Sequence, residues 1–203
     1  MKTYILVPGI MTDDAINNWS AKAARWIENN TIHKAFQVPY FTTPFTRFIH
    51  QKKRSEELAY IIDSCKTDVV LIGHSNGCDL ICKALTICKK KVKDIHLIAG
   101  ATHSSFIKNK LNISLTHKLE RVFVYCSEND LALKLAFYTS FFLKIFGLGF
   151  GYLGRKGPEY ITSKNRAKTY TFWYNEFGHS DYFDDLEILM LNICKDCYIL
   201  LDK

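Results

Sequence analysis

The chain has 203 residues, of which 48% are hydrophobic and 23% are charged, with 10 Gly and 4 Pro. That length suits one α/β domain with a sizeable core, and the composition excludes a collagen-like, low-complexity or disordered chain. The formal net charge is +7. The basic residues are scattered and no nucleic-acid-reading motif accompanies them, so we expect no nucleic-acid partner.

The cysteines and the N-terminal residues bear on the cellular compartment. Seven cysteines, an odd number, favour a reducing compartment over a disulfide framework. The apolar run before Gly9 is too short for the core of a secretory signal and predicts a buried strand instead. We therefore expect a cytoplasmic protein.

Short β-rich apolar runs alternate with helical patterns along the chain. The predicted strands are Thr3–Val7, Phe36–Phe41, Val69–Ile72, Ile95–Ala99, Val122–Tyr125 and Tyr170–Tyr174. Strands that alternate with helices indicate a parallel sheet with helices on both faces. We expect one domain over residues 1–203, an α/β/α sandwich of three layers whose mostly parallel sheet has about six strands.

Four helices are predicted from apolar side chains at helical spacing. Asp14 is expected to cap the first, which runs to about Asn29. The next two cover Glu57–Cys65 and Asn76–Cys88, and the last begins near Tyr182. Each apolar stripe predicts core packing and no further role.

Residues 131–157 depart from this alternation because they combine clustered aromatic side chains with five glycines. The aromatic part is too broken for a transmembrane helix, which needs about 20 apolar residues. Two interpretations stay open, a buried helix followed by a flexible loop, or an apolar lid or pocket wall over a site. Phe141 and Phe142 are adjacent and must point to different sides of a helix, so we predict them as substrate contacts.

The segment DVVLIGHSNGCDL places a tight turn between an apolar strand and a helix. Residues 73–77 form G-x-S-x-G in the strand–turn–helix context that a nucleophile elbow requires. A strained turn projects the Ser75 hydroxyl from the sheet edge, and the glycines let strand and helix approach closely. We predict Ser75 as a nucleophile; the alternative is an ordinary βα turn.

A serine nucleophile needs a base, and the base needs an orienting acid. After an elbow serine, the acid and then the histidine follow in chain order. Asp130 comes just after the predicted strand Val122–Tyr125, and His179 lies between the last strand and the last helix. We predict these as acid and base. Glu128 is the competing acid. The alternative interpretation of His179 is structural, as a neighbour of the residue that caps the last helix.

Acyl transfer also needs two hydrogen-bond donors for an oxyanion. The backbone N–H of Asn76 is the first candidate, and the N–H of Ile10, after the first strand, is the second, with Met11 as its alternative. His74 and His103 are candidate substrate contacts. No set of histidines has metal-ligand spacing, so we expect no metal and no other cofactor.

These motifs resemble the α/β-hydrolase superfamily over nearly the whole chain. The matching segments are Pro8-Gly9 in the oxyanion loop, GHSNG at the elbow, SEND after the acid strand and FGHSDYF around the histidine. The resemblance implies a compact lipase- or esterase-like enzyme with Ser75, Asp130 and His179 as its triad. Many members have His-Gly where this chain has Pro8-Gly9, but backbone amides act there and the implied activity stands.

The sequence thus predicts a serine hydrolase that cleaves small-molecule carboxylic esters with an apolar acyl group. A thioesterase or an acyltransferase with the same triad is the nearest alternative. A binding protein on an inactive hydrolase scaffold belongs to a different class, and the intact ordered triad argues against it. Contact of the aromatic segment with a membrane surface stays open but is not favoured.

Overall fold

The computed structural model describes residues 1–10, 18–38, 47–103, 119–143, 151–158 and 167–195, and the side chains at 47–48 and 139–143 are outside that description. Its centre is a six-stranded sheet in the order β2-β1-β3-β4-β5-β6, with every pair parallel. The strands are β1 (Lys2–Val7), β2 (Lys34–Gln37), β3 (Asp68–His74), β4 (Val92–Ile98), β5 (Leu119–Cys126) and β6 (Lys168–Trp173). The predicted sheet is confirmed.

Helices cover both faces of this sheet. They are α1 (Trp19–Asn30), α2 (Arg47–Ser64), α3 (Asn76–Ile87), α4 (Leu131–Leu143), α5 (Leu153–Lys156) and α6 (Leu186–Lys195). Successive side chains of a strand point to opposite faces. Ile5 and Val7 of β1 therefore enter the core under α2 and α3, whereas Tyr4 and Leu6 enter the core under α1 and α6. Burial on both faces explains why the central strands are continuous apolar runs.

Four predicted boundaries are wrong by four residues or more, and the largest difference is at α2, which begins at Arg47 rather than at the predicted Glu57. Helix α1 begins at Trp19 because Asn18 caps it, its side chain accepting the Ala21 N–H at 2.9 Å; the predicted cap, Asp14, lies outside the described residues. The last helix begins at Leu186, since residues 181–183 form a separate 3₁₀ turn. Strand β2 ends at Gln37 rather than at the predicted Phe41, which is outside the described residues.

His96 is a polar residue buried in β4. Its ring stacks on Phe123 with centroids 4.5 Å apart, and its Nδ1 lies 3.0 Å from the Tyr125 hydroxyl. The partners come from β5, which is hydrogen-bonded to β4. A polar side chain can be buried when a neighbouring strand supplies its hydrogen bond.

Helix α4 is exposed along one side, unlike the fully buried helix that was one interpretation of residues 131–157. Leu131, Leu135 and Tyr138 are 72%, 67% and 57% exposed. Among the described residues no helix is long and apolar enough to cross a membrane.

The stretch at residues 151–158 is tied to the segment after β4 by backbone hydrogen bonds. The N–H groups of Gly151 and Gly154 donate to Ala101 and Gly100 at 3.1 and 2.9 Å. A Cβ on Gly154 would come within 2.4 Å of the backbone at Gly100. The glycines of this stretch thus serve close packing, in contrast to the flexible loop that the sequence suggested; residues 144–150 are outside the described part.

Gly77 permits the closest approach between α3 and the neighbouring strand β1. A Cβ there would lie 2.2 Å from the Val7 carbonyl oxygen and 2.6 Å from that of Pro8. Since neither carbonyl can rotate away, we expect Gly77→Ala to lower the free energy of unfolding by about 3 kcal/mol or more. Thermal and denaturant unfolding will measure this.

Gly100→Ala is the matched control. A Cβ at Gly100 would meet its nearest neighbours at 3.4 Å, which is ordinary van der Waals contact. We expect its unfolding midpoint to stay near that of the parent. Equal stability of the two variants would contradict this account of the elbow.

Candidate active site

The predicted site residues lie at one edge of the sheet. Because all the strands are parallel, their carboxyl ends meet at the same edge. Gly9 follows β1, Ser75 follows β3, Asp130 follows β5 and His179 lies beyond the end of β6. Residues that are far apart in the chain are thereby brought to one place.

Ser75 sits in the turn between β3 and α3 in a backbone conformation that non-glycine residues rarely adopt. Its φ is 52° and its ψ is −122°. Two bonds hold the turn to the neighbouring strand, since the Ser75 N–H donates to Ile98 at 3.0 Å and the Ser75 carbonyl accepts from Ala101 at 3.0 Å. Backbone strain of this kind persists only where the surroundings enforce it, and it is frequent at active sites.

The loop after β1 packs directly against this turn. A Cβ on Gly9 would lie 3.0 Å from the Ser75 Cβ, which is tighter than an ordinary contact, so glycine favours this close approach of the two backbones. Ile10 follows and is half-buried against the core under α2 and α3. Asn76 is the first residue of α3, and N–H groups of the first helical turn point out of the helix end. Met11, the alternative donor, is outside the described residues.

Asp130 and His179 form a hydrogen-bonded pair. The His179 Nδ1 lies 2.7 Å from Asp130 Oδ2. The other carboxylate oxygen accepts the Leu133 N–H at 2.8 Å, so the aspartate also caps the start of α4. Asp130 is fully buried, whereas the His179 side chain is 23% exposed. A carboxylate that accepts from Nδ1 leaves Nε2 as the unprotonated ring nitrogen, as a general base requires.

The loops of the acid and of the histidine are joined by two further contacts. The Ser127 hydroxyl donates to the Phe177 carbonyl at 2.5 Å, and the Asn129 side-chain amide donates to the Asn175 carbonyl. Both donors lie between the end of β5 and Asp130, and both acceptors precede His179. Rigid neighbours of this kind keep a catalytic pair in its working geometry.

Glu128, the competing acid, is exposed to solvent. Only its backbone carbonyl makes a described contact, accepting from the Arg155 guanidinium at 3.0 Å. The geometry therefore favours Asp130 as the partner of His179.

His74, the residue before Ser75, contacts the histidine loop and not an open surface. It is 7% exposed, and its Nε2 lies 2.9 Å from the His179 carbonyl oxygen. Burial, and secondarily the neighbouring His179, lower the pKa of His74 to about 3. The ring is therefore neutral at physiological pH, and its described polar contact is with the His179 backbone; contact of His74 with substrate stays a prediction.

Two aromatic residues that sequence reasoning did not single out surround His74. Trp19 and Phe183 stack on each other with centroids 4.3 Å apart, and both meet the His74 ring edge-on. Trp19 begins α1 and Phe183 ends the 3₁₀ turn after His179. Phe183 ends the FGHSDYF segment, whereas Trp19 is far from every motif in the sequence. Their contact depends on tertiary packing, in which α1 lies beside α6.

The remaining predicted substrate contacts have no described side-chain partner. His103 is exposed. It lies two residues after Ala101, whose N–H donates to the Ser75 carbonyl. Phe141 and Phe142 lie in α4, and their side chains are outside the described part. Within the described residues, no group of three or more His, Cys, Asp and Glu side chains could hold a metal ion.

Fold and site together define an α/β hydrolase: a parallel sheet with a strained serine turn after one strand and a buried aspartate–histidine pair after two others. The chain belongs to the serine hydrolase family, whose sequence model matches residues 4–157. That match includes Ser75 and Asp130 and ends before His179. No curated protein sequence is significantly similar to the chain.

Solved structures share this fold at low sequence identity. Arabidopsis thaliana SOBER1 has a TM-score of 0.57 and 12% identity, covering 96% of this chain and 99% of its own. Esterase PE8 has a TM-score of 0.57 and 13% identity over 96% and 92%. Mouse alpha/beta hydrolase domain-containing protein 10 has a TM-score of 0.57 and 16% identity over 95% and 88%. At these identities the likeness shows the fold.

Proposed function

We propose that this serine hydrolase cleaves carboxylic esters with an apolar acyl group through an acyl-enzyme on Ser75. The observation that carries the proposal is the 2.7 Å bond between His179 Nδ1 and the fully buried Asp130. The pair lies at the sheet edge where Ser75 occupies its strained turn. A nucleophile, a base and an orienting acid at one edge are the parts that acyl transfer needs.

The reaction begins when the Ser75 hydroxyl oxygen attacks the ester carbonyl carbon. His179 Nε2 takes the hydroxyl proton, and the buried Asp130 carboxylate stabilises the imidazolium that forms. The N–H groups of Asn76 and Ile10 donate to the oxyanion of the tetrahedral intermediate. As the intermediate collapses, the bond to the alkoxy oxygen breaks, and the alcohol leaves with the proton from His179.

Water completes the cycle. His179 Nε2 removes a proton from a water molecule, which attacks the acyl carbonyl of Ser75. As the second tetrahedral intermediate collapses, the bond between the acyl carbon and the Ser75 oxygen breaks, His179 gives its proton to that oxygen, and the carboxylic acid leaves. No cofactor takes part in these steps.

Helix α4 supports the choice of an apolar acyl group. It begins directly after Asp130, so its first turn lies beside the acid. Leu131, Leu135 and Tyr138 follow at helical spacing and are all largely exposed. Such a row presents apolar surface close to the site, and a fatty acyl chain gains free energy by covering it. Residues 131–157 are in this proposal an acyl-binding wall.

A reducing compartment agrees with this proposal. Cys65, Cys78, Cys82 and Cys126 are free thiols, and burial raises the pKa of Cys126 to about 12, so that thiol is unreactive at neutral pH. We place the reaction in the cytoplasm, with a small-molecule ester as substrate.

A fluorophosphonate probe tests the nucleophile. Its phosphorus should become bonded to the Ser75 oxygen with loss of fluoride, and peptide mass spectrometry should locate the adduct. Absence of labelling would favour the binding-protein alternative. Hydrolysis of acyl thioesters without hydrolysis of oxygen esters would replace the esterase by the thioesterase.

Ester chain length tests the acyl-binding wall. From acetyl to butyryl p-nitrophenyl esters, kcat/KM should rise roughly tenfold, because each buried methylene contributes about 0.8 kcal/mol. Phe141→Ala and Phe142→Ala should flatten that rise. Ile87→Ala, an exposed apolar residue at the far end of α3, is the control and should leave it unchanged. A flat profile in the parent would show that the aromatic segment does not bind the acyl chain.

A further inference from the structure

His74 contacts elements from four separate parts of the chain around the site. Its ring meets Trp19 of α1, Phe183 of the 3₁₀ turn and the His179 ring, with centroids 6.1, 4.9 and 4.8 Å away. A Cβ on Gly9, in the loop after β1, would lie 3.5 Å from His74 Nδ1. The residue before the nucleophile thus packs against the oxyanion loop and the base loop at once.

The polar contact of His74 has a defined direction. Its Nε2 lies 2.9 Å from the backbone carbonyl oxygen of His179, 105 residues away in the sequence. A carbonyl oxygen only accepts, so Nε2 carries the proton and donates it. The ring is neutral, and Nδ1 is then its unprotonated nitrogen. The charged and titratable groups that act on the ring are His179 and Asp130.

This bond complements the one made by Asp130. The Asp130 carboxylate holds the His179 ring through Nδ1, whereas His74 holds the His179 backbone. Two anchors on one residue, one on the ring and one on the main chain, restrict both its position and its rotation. A base displaced by about 1 Å can lose on the order of 10²-fold in rate.

We propose that His74 is a positioning residue. Its neutral ring donates through Nε2 to the His179 carbonyl and thereby holds the backbone of His179 at a fixed position relative to Ser75. The inference rests on the proposed function, because it assigns His179 the role of general base. It gives the first variable position of G-x-S-x-G a chemical requirement in this chain, namely a flat side chain with one donor at its far end.

Two substitutions separate the donor from the ring. His74→Phe keeps an aromatic ring against Trp19 and Phe183 but removes the donor. His74→Gln supplies an amide N–H at a similar reach. With p-nitrophenyl butyrate as substrate, we expect His74→Phe to lower kcat by about 10²-fold with little change in KM, and His74→Gln to recover most of that loss.

His33→Phe is the matched control. The His33 ring stacks on Tyr4 and accepts from the Lys2 N–H, at the opposite end of the sheet. We expect its kcat and KM to equal those of the parent.

Nuclear magnetic resonance of the ring nitrogens in the parent protein provides a measurement that needs no variant to fold. His74 should show a protonated Nε2 and should not titrate between pH 5 and 9. A proton on Nδ1, or a titration of His74 in that range, would overturn the inference.

The kinetic outcomes distinguish this inference from the proposed function. An active parent with an equally active His74→Phe variant overturns the positioning role and leaves the hydrolase intact. A folded parent that neither takes the fluorophosphonate label nor hydrolyses esters overturns both, because no base would then need positioning.

Discussion

Ser75→Ala should lower ester turnover by a factor on the order of 10⁶ and abolish labelling by a fluorophosphonate. The reason is that the alanine methyl group cannot form the acyl-enzyme, so His179 and Asp130 lose the nucleophile that they serve. Residual hydrolysis would come from water and the oxyanion donors alone. Steady-state kinetics and intact-protein mass spectrometry will measure both effects.

Folding of this variant should be preserved. The Ser75 turn is held through its backbone, by the bonds to Ile98 and Ala101, and alanine keeps both. Ser64→Ala, which removes an exposed hydroxyl that donates to the Tyr60 carbonyl, is the matched control and should retain full activity. Labelling that persists in Ser75→Ala would move the nucleophile to another residue.

Asp130→Asn should lower turnover by roughly 10⁴. The buried carboxylate accepts from His179 Nδ1 at 2.7 Å and so keeps Nε2 unprotonated. An amide in its place can donate to Nδ1, which selects the tautomer with the proton on Nε2. It also lacks the negative charge that stabilises the imidazolium. The substrate KM should change little, because neither effect concerns substrate binding.

Glu128→Gln is the control for the acid. Glu128 is two residues away, exposed, and uses only its backbone carbonyl in a described contact. The variant should behave as the parent, and the Asp130→Asn side chain can still accept the Leu133 N–H that caps α4. A severe loss in Glu128→Gln, with a near-normal Asp130→Asn, would show that the acid is Glu128.

Local sequence patterns predict the strands, the serine turn and the candidate acid and base. Short apolar runs identify all six strands. Burial on both faces keeps polar residues largely out of central strands such as β1 and β3, whereas the outer strands β2 and β6 are partly or largely exposed. The glycines at 73 and 77 identify the elbow, because the space beside each has no room for a Cβ. Asp130 and His179 follow from chain order, since the parallel topology brings strand ends to one edge.

Boundaries were less predictable. Asn18 and Asp14 are both good N-caps by residue type, and the structure places Asn18 at the start of α1, where it accepts the Ala21 N–H. Tyr182 fits a helical stripe, yet it occupies a 3₁₀ turn, where its ring is buried against Tyr174 and Phe177. Apolar spacing along the chain indicates which residues are buried. It does not determine whether a buried residue such as Tyr182 lies in an α-helix or in a 3₁₀ turn.

By itself the sequence determined the fold class, the serine turn and the order of the candidate acid and base, because each can be read from short local patterns and from their order along the chain. Tertiary structure alone decided that the buried Asp130, rather than Glu128, pairs with His179, and that His74 donates to the His179 backbone. It also decided that His96 is buried beside Tyr125. Each of these contacts joins residues 29 to 105 positions apart, and the burial that strengthens them exists only once the sheet has formed.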